Sequence, residues 1–343
     1  MPVEPGAGEA SAAASPAPRS GWRRLLAVPT PIVFAVSVLV GLALLARQGA
    51  LADVGTAAGR LHPAIVAATL LLYAGGLLLL SLRWHALARM AGGTVPAPVA
   101  AEVFLTSVVV NYAAPIGLAV PTRAALSKRD LGLTASGSGA VVLWEALLDL
   151  GILAAIGTLW LVLGGGEAVA AIAAEGREWA VAAGVLVALV AVAVAALLVF
   201  SRRVRERTRR FGGEALALPG RRPVAALTAL ALSVVFWALQ AAILRLLLDG
   251  FGVVAPSPTL VLGLLGWPTF IGMISPVPGG AGVREALMVA VAGLARVDGA
   301  AVLLAALAYR VTLFVTLPFV FLAARGWRAL RPEPAVREGG LHG

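Results

Sequence analysis

Apolar residues form long uninterrupted runs along this chain, and the charged residues collect between them. A helix needs about 20 apolar residues to cross the roughly 30 Å hydrocarbon core of a bilayer. Six runs have about that length: Pro31 to Ala46, Pro63 to Leu82, Gly137 to Leu163, Trp179 to Phe200, Pro223 to Leu248 and Gly299 to Ala324. The pattern predicts an all-α polytopic membrane protein with about six full transmembrane helices.

Other apolar runs are too short to cross and adjoin breaks. Val99 to Val110 would form only about 18 Å of helix. Leu260 to Ile274 is followed by Ser-Pro-Val-Pro-Gly-Gly-Ala-Gly-Val-Arg-Glu, residues 275 to 285. Prolines end helices and glycines relax the backbone, and irregular backbone at membrane depth must face protein or water. A new helix is predicted near Gly282, with Arg284 in its first turn, where free amides and the helix dipole favour an anion.

An earlier segment, Asn111 to Arg123, has a similar plan. Pro115 stands eight residues before Arg123, as Pro276 stands eight before Arg284, and the same ungapped alignment matches Gly132 with Gly293. Paired broken helices in two halves of a membrane protein are typical of transporter binding sites. We therefore predict an inverted-topology repeat, with repeat one over about 63–163, repeat two over about 223–325, and one re-entrant hairpin entering from each face.

The charged segments predict the topology. Between the fourth and fifth spans, eight arginines and two glutamates give a predicted loop with a net charge of 8 − 2 = +6, which favours the cytoplasm and anionic lipid over nucleic acid. The protein is expected in the cell membrane with both termini cytoplasmic. Residues 1–21 are predicted to be a disordered tail, 22–330 the membrane domain and 331–343 a C-terminal tail. A signal peptide cleaved after Ala50-Leu51-Ala52 is the alternative at the N-terminus.

The composition agrees with a membrane setting and narrows the chemistry. Hydrophobic residues make up 60% of the chain, the mean hydropathy is +0.94, and the net charge is +10. With no cysteine, and with three histidines that lack metal-site spacing, no cofactor or metal is expected.

Several charged residues fall within or beside the predicted spans. Glu145 and Asp149 are four residues apart and share a helix face, so they should face protein, water or a basic partner. Arg310 aligns with Asp149 in the repeat, which makes an Asp149–Arg310 salt bridge one expected arrangement. Packing and a substrate pathway both stay open as roles for these charges. Arg83 is expected at the membrane interface, and Arg245 is expected to snorkel.

A set of motifs resembles a known family. Its elements are Arg83-Trp84, Asn111 with Pro115 and Arg123, Glu145 with Asp149, the Pro-x-Pro-Gly-Gly-x-Gly-x-x-Glu element from Pro276 to Glu285, and Arg310. Over about residues 30 to 325 the chain resembles the lysylphosphatidylglycerol synthase transmembrane, or flippase-like, domain family. The resemblance implies a protein that moves a phospholipid or lipid-linked headgroup between leaflets through a cavity formed by the broken helices.

The leading hypothesis, a lipid transporter of the flippase type, assigns a set of lipid-binding residues. Arg123 and Arg284, each at the start of a hairpin helix, would hold the lipid phosphate, while Glu145, Asp149 and Glu285 would contact cationic headgroup atoms or take up protons. Snorkelling at a helix end is the alternative for both arginines. The full expected set is Asn111, Arg123, Glu145, Asp149, Gly279, Gly280, Gly282, Arg284, Glu285 and Arg310. The chain departs from the family pattern at Ala119-Val120 and Ala146, so lipid handling in general is implied more firmly than a cationic aminoacyl-lipid.

The expected partners are membrane phospholipids, anionic or aminoacylated, and not nucleic acid. A homo-oligomer and a separate lipid-modifying enzyme are further partners left open, since the chain is not expected to make a lysyl-lipid itself. Two other classes of function also stay open. One is a membrane-embedded lipid-modifying enzyme, although no nucleophile lies beside a base. The other is a small-solute transporter or a non-transporting partner subunit.

Overall fold

The computed structural model describes Gly59 and residues 61–94, 96–113, 126–128, 130–164, 202–275, 280 and 282–329. These residues form helices and connecting turns, with no strand among them. The predicted spans 31–46 and 179–200, both predicted tails, and the segments 114–125 and 276–279 lie outside the described residues.

Eight helices organise the described part of the chain. They are α1 (Pro63–Met90), α2 (Ala97–Ala113), α3 (Ala135–Gly164), α4 (Arg202–Arg221), α5 (Pro223–Gly250), α6 (Pro258–Ile274), α7 (Val283–Leu294) and α8 (Gly299–Ala329). Four of them, α1, α3, α5 and α8, are long and apolar enough to cross a membrane. They correspond to four of the six predicted spans and confirm a helical membrane protein.

The α1 helix begins as its sequence indicates but ends later. The N-cap residue His62 accepts a hydrogen bond from the Ala64 amide through Nδ1, at 3.2 Å, and Pro63 occupies the first turn, where its missing N–H costs nothing. The prediction that this span stops at Arg83 is wrong, because the helix continues to Met90. Arg83 does not end it, since the charge is neutralised inside the protein.

Three apolar helices are short. At 1.5 Å per residue, the 17 residues of α2 and of α6 extend about 25 Å, and the 12 residues of α7 about 18 Å. The break predicted after α6 is confirmed, because α6 ends at Ile274 and α7 begins only at Val283.

The arginine-rich segment before α5 is a helix, so the prediction of a loop there is wrong. Arginine and glutamate are good helix formers, and α4 also contacts α3. The Trp144 Nε1 group donates to the Ala215 carbonyl at 2.8 Å, and the Phe211 ring lies against Gly139. The arginine-rich sequence correctly predicts a polar segment, but it does not reveal these contacts between α4 and α3.

The α1 helix lies at the centre of the packing, in contact with α2, α3, α5 and α8, while α6 packs on α3. Glycine allows the α3–α6 contact to be very close. A Cβ atom added to Gly266 would lie 2.5 Å from the Gly157 backbone, and one added to Gly263 would lie 2.6 Å from the Trp160 indole nitrogen. The backbones therefore touch at Gly157 and Gly266, and a larger residue would separate the helices.

Helices of the second half follow those of the first at nearly constant spacing. The starts of α5 and α1 differ by 223 − 63 = 160 residues, those of α6 and α2 by 258 − 97 = 161, and those of α8 and α3 by 299 − 135 = 164. A residue with left-handed backbone precedes both α3 and α8. These residues are Gly132 (φ 62°) and Arg296 (φ 55°), which are again 164 apart. The ungapped sequence alignment uses an offset of 161 residues, so at α8 it is wrong by 164 − 161 = 3 residues.

Candidate functional site

The first polar cluster surrounds Arg83, whose side chain is only 3% exposed. Its Nη1 and Nη2 atoms donate to the two oxygens of Asp149 at 2.5 and 3.1 Å, and Nη2 also donates to Glu145 Oε1 at 3.1 Å. The Trp237 indole donates to Asp149 Oδ1 at 2.9 Å, and the Ser233 hydroxyl lies 3.4 Å from Nη1. The cluster joins α1, α3 and α5.

One prediction about these charges is wrong, because Asp149 pairs with Arg83 rather than with Arg310. The spacing of the helices explains the error, because 149 + 164 = 313 makes Leu313, and not Arg310, the counterpart of Asp149. Arg83 is buried within the protein, and its place at the membrane interface stays a prediction. The expectation that Glu145 and Asp149 share a helix face is confirmed by their common partner.

The Arg83 cluster is arranged to hold helices together. A bidentate arginine–carboxylate pair is a strong and directional contact, and burial is tolerated when the remaining polar atoms are also bonded. Asp149 accepts from both Arg83 nitrogens and from Trp237, so its oxygens are already engaged. This geometry favours the packing interpretation of Asp149 over a role in a substrate pathway.

The second polar cluster lies at the break between α6 and α7. Gly280 and Gly282 have φ values of +63° and +81°, in the region that favours glycine. A Cβ atom on Gly280 would lie 2.6 Å from Gly272 Cα, so the break folds directly back onto α6. Gly282 is the N-cap of α7, and its amide donates to Glu285 Oε2 at 2.8 Å.

Glu285 connects this cap to α8. The residue is 2% exposed, and its Oε1 atom accepts from Arg310 Nε at 2.7 Å. Both carboxylate oxygens are therefore engaged within the protein, and its predicted contact with a headgroup stays a prediction. The sequence signal for its capping role is glutamate at the third helical position after Gly282, the second half of a capping box.

Arg284 is half-buried and differs from Arg83 and Arg310 in its partners. It lies in the first turn of α7, as predicted, with its Cζ atom 4.7 Å from the centroid of the Tyr309 ring. Its Nε and Nη2 atoms are buried and have no hydrogen-bond partner among the described residues. Tyr309 makes an edge-to-face contact with Tyr73 of α1, with ring centroids 5.7 Å apart.

Sequence reasoning missed both aromatic residues of this cluster. The chain has only three tyrosines, and two of them, Tyr73 and Tyr309, meet here. Scarcity of tyrosine in an apolar chain, together with the position of Tyr309 beside Arg310, was the available signal.

The structure divides the predicted site residues into groups. Glu145 and Asp149 lie in the Arg83 cluster, whereas Gly280, Gly282, Arg284, Glu285 and Arg310 lie at the α6–α7 break. Asn111 falls in the last turn of α2, and Arg123 and Gly279 lie outside the described residues. In the ranges that the structure describes, no three His, Asp or Glu side chains form a group that could hold a metal ion.

Comparison with known proteins identifies a family. No curated protein matches the sequence significantly. Residues 32–320 match the family described as the lysylphosphatidylglycerol synthase TM region, and this match includes both polar clusters, the helices α1, α3 and α5, and α8 as far as Val320. Because the matched region covers most of the chain, the protein belongs to the lysylphosphatidylglycerol synthase TM region family.

Proposed function

We propose that this protein is a lipid transporter of the flippase type, which moves a phospholipid or lipid-linked headgroup between leaflets. The observation that carries the proposal is that the Nε and Nη2 atoms of Arg284 are buried and have no hydrogen-bond partner among the described residues. Arg284 would bind the lipid phosphate during passage. Membership of a family whose name refers to a phospholipid synthase supports a lipid as the substrate.

The energetic argument compares Arg284 with its neighbours. A charged side chain at the centre of a bilayer costs about 2.5 to 3.5 kcal/mol on insertion scales, and buried charges normally have partners. Arg83 has Asp149 and Glu145, and Arg310 has Glu285. Arg284 has the face of Tyr309, an interaction worth only about 0.5 to 2 kcal/mol. A phosphate oxygen would supply the acceptors that Arg284 lacks.

The backbone around Arg284 strengthens an anion site. Arg284 occupies the first turn of α7, where amide groups have no acceptor within the helix and the helix dipole is positive. At this cap the Glu285 carboxylate accepts from the Gly282 amide. A phosphate beside Arg284 could therefore accept from the side chain and from the start of the helix together.

We further propose that the two halves form an inverted repeat with re-entrant hairpins. Paired helices have matching lengths, 28 residues for α1 and α5 and 17 for α2 and α6. Each short helix packs on a long helix of the other half. The α6 helix of the second half lies on α3 of the first half, and α2 of the first half lies on α8 of the second half. The short α2 and α6 would enter from opposite faces and meet α3 and α8 inside the membrane.

The proposed orientation follows from the arginine distribution. The α4 helix and its surroundings carry eight arginines and would lie on the cytoplasmic face of the cell membrane, with both chain termini on the same side. The hairpin of α6 and α7 would then enter from the outer face, and the lipid tails would stay in the hydrocarbon while the headgroup passes Arg284.

A reconstituted translocation assay tests the proposed function. Purified protein in liposomes should move a lipid with a fluorescent acyl chain between leaflets, as followed by chemical quenching of the outer leaflet. Arg284→Gln should lower the rate by about tenfold or more, because a charge-assisted contact of about 1.5 to 3 kcal/mol is lost.

The control is the same substitution at an arginine away from the break. Arg245 is exposed on α5, so Arg245→Gln should keep the wild-type rate. Equal rates for wild type, Arg284→Gln and protein-free liposomes would overturn the proposed transport. If the protein moves lipid and Arg284→Gln moves it at the wild-type rate, Arg284 has no part in the transport.

The proposed function involves no chemical change to the lipid. Any aminoacyl or other modification would come from a separate lipid-modifying enzyme. Mass spectrometry of the lipids after the assay should recover the labelled lipid unmodified, and conversion of the lipid by the purified protein would favour the enzyme alternative instead.

A further inference from the structure

We infer that α4 is a membrane-surface helix that binds the headgroups of anionic phospholipids in the leaflet beside it. Three features of α4 point to this partner: the places where the helix begins and ends, the face that it packs on the protein, and its charge. Binding of this kind is independent of the proposed transport, because a surface helix can hold lipid headgroups whether or not lipid crosses the membrane.

Both ends of α4 adjoin apolar segments. The helix begins two residues after the predicted span that ends at Phe200, and it ends two residues before the start of α5. Beyond its last residue, the Arg222 guanidinium donates to the carbonyl of Arg89, in the last turn of α1. Only one residue separates α4 from each apolar segment, so both of its ends stay at the boundary of the membrane. Its 20 residues, about 30 Å of helix, therefore run along the headgroup layer.

One face of α4 packs on the protein. Phe211 lies against Gly139 of α3, and the Ala215 carbonyl accepts from the Trp144 indole at 2.8 Å. Val204 stands seven residues before Phe211, so it falls on the same face of the helix. This apolar face fixes α4 against α3 and holds the arginine-rich helix at the end of the bundle.

The second half of α4 also has an exposed side. Leu216 is 62% exposed, and Ala217 is exposed next to it. At the start of α5, Val224 and Leu227 are 78% and 65% exposed. Exposed leucine and valine side chains are unfavourable in water, but they are stable at the boundary between headgroups and acyl chains. These residues are therefore suited to contact with lipid.

The charge of α4 is complementary to an anionic membrane surface. Seven arginines and two glutamates give the helix a net charge of 7 − 2 = +5, and six of the arginines fall within residues 202–210, directly after the predicted span. Basic residues on a helix beside a membrane span attract anionic lipids, and arginine can pair with a phosphate through two parallel hydrogen bonds. Two glutamates can neutralise at most two of these seven arginines, so phosphate headgroups are the complementary partner.

The test uses a single label, which the absence of cysteine from the chain makes possible. Ala217→Cys, on the exposed side of α4, carries a fluorophore, and the full-length protein is placed in nanodiscs. Phosphatidylglycerol or phosphatidylcholine with the same nitroxide quencher is added at equal mole fraction. Phosphatidylglycerol should quench about threefold more strongly at low salt. At about 1 M salt the two lipids should quench almost equally, because the screening length falls to about 3 Å.

Paired substitutions assign the preference to the arginines of α4. Arg205→Gln with Arg209→Gln should lower the preference for phosphatidylglycerol to below about twofold, whereas Arg205→Lys with Arg209→Lys should keep it, because lysine also attracts phosphate. Arg245→Gln with Arg296→Gln removes the same charge outside α4 and should behave as wild type. Gel filtration in detergent and the thermal midpoint of each variant confirm that the proteins compared are folded.

The outcomes separate this inference from the proposed function. A preference for phosphatidylglycerol that is reduced both by salt and by loss of the two arginines supports it. Equal quenching by the two lipids at low salt, a preference that survives the glutamine pair, or its loss in the lysine pair overturns it. Quenching by aqueous iodide and by neither lipid also overturns it, because α4 would then face water. Failure of the translocation assay would leave this lipid binding intact.

Discussion

Arg83 and Arg284 are both arginines within the membrane part of the protein, but their surroundings are opposite. Arg83 is held by two carboxylates, with an indole and a hydroxyl beside it, and its side chain is almost fully buried. Arg284 lies against an aromatic face with two buried nitrogens unpartnered in the described structure. The first arrangement is complete within the protein, and the second lacks an acceptor.

This difference separates stability from transport. Where every polar atom has a partner, removal of one partner exposes the other to an apolar environment, and the fold loses free energy. Where buried donor atoms of a charged group have no acceptor, its removal relieves a desolvation cost and sacrifices the ligand contact and, for Arg284, the contact with the Tyr309 ring. Arg83 should therefore matter chiefly for folding, and Arg284 chiefly for transport.

Arg83→Gln should have the largest effect on stability. It leaves Asp149 and Glu145 without their cation, and breaking such a buried pair costs about 3 to 5 kcal/mol. Thermal unfolding in detergent, followed by tryptophan fluorescence, should show a much lower midpoint, with partial recovery in Arg83→Lys. Arg245→Gln is the matched control, and an equal midpoint in both glutamine variants would contradict the structural role of Arg83.

Glu285→Gln should have the next largest effect. Glutamine can still accept from the Gly282 amide, but it cannot neutralise Arg310, and hydrogen bonds to charged groups are worth about 1.5 to 3 kcal/mol. The same unfolding measurement applies, with Glu214→Gln on the exposed face of α4 as control. A double-mutant cycle with Arg310→Gln should give a coupling energy above about 0.5 kcal/mol. Strict additivity would mean that the pair does not stabilise the protein.

Gly280→Ala should follow, because it disturbs the backbone that supports Arg284. The positive φ at Gly280 and the 2.6 Å approach to Gly272 Cα predict a loss of about 1 to 3 kcal/mol. Gly293→Ala is the control, since that position is helical and a new Cβ would meet nothing within 4 Å. Gly293→Ala should leave the unfolding midpoint unchanged or raise it slightly. Equal midpoints for the two variants would show that the tight backbone at the break does not contribute to stability.

Arg284→Gln should have the smallest effect on stability of the four. Its stability should stay within about 1 kcal/mol of wild type, because the buried Nε and Nη2 atoms have no hydrogen-bond partner among the described residues. This result, combined with a large loss of lipid movement, would sharpen the contrast with Arg83. A loss of stability as large as that of Arg83→Gln would instead make Arg284 a structural residue.

The helix break could be located from sequence because its signals are local. Proline and glycine act on their own backbone, so the end of α6 and the start of α7 near Gly282 were both predictable. The position of Arg284 in the first turn followed directly. Four long apolar helices were likewise predictable, because each carries its own hydrophobic run.

The partners of the charged residues were not predictable in the same way. Whether Asp149 meets Arg83 or Arg310 depends on which helices face each other and on a three-residue shift in spacing between the halves, which an ungapped alignment conceals. The contact of Tyr309 with Arg284 also joins different helices. Such contacts arise from packing, and no single segment of the sequence encodes them.

The backbone contact between Gly157 and Gly266 has a consequence for biosynthesis. The ribosome completes α3 at Gly164 and reaches α6 only at Pro258, 258 − 164 = 94 residues later. At about 5 to 20 residues per second, the glycine face of α3 faces lipid for about 5 to 20 seconds before its partner is made. Small residues let helices approach closely in a bilayer, so during this interval the face can accept an incorrect helix, and faithful insertion depends on keeping it free until α6 arrives.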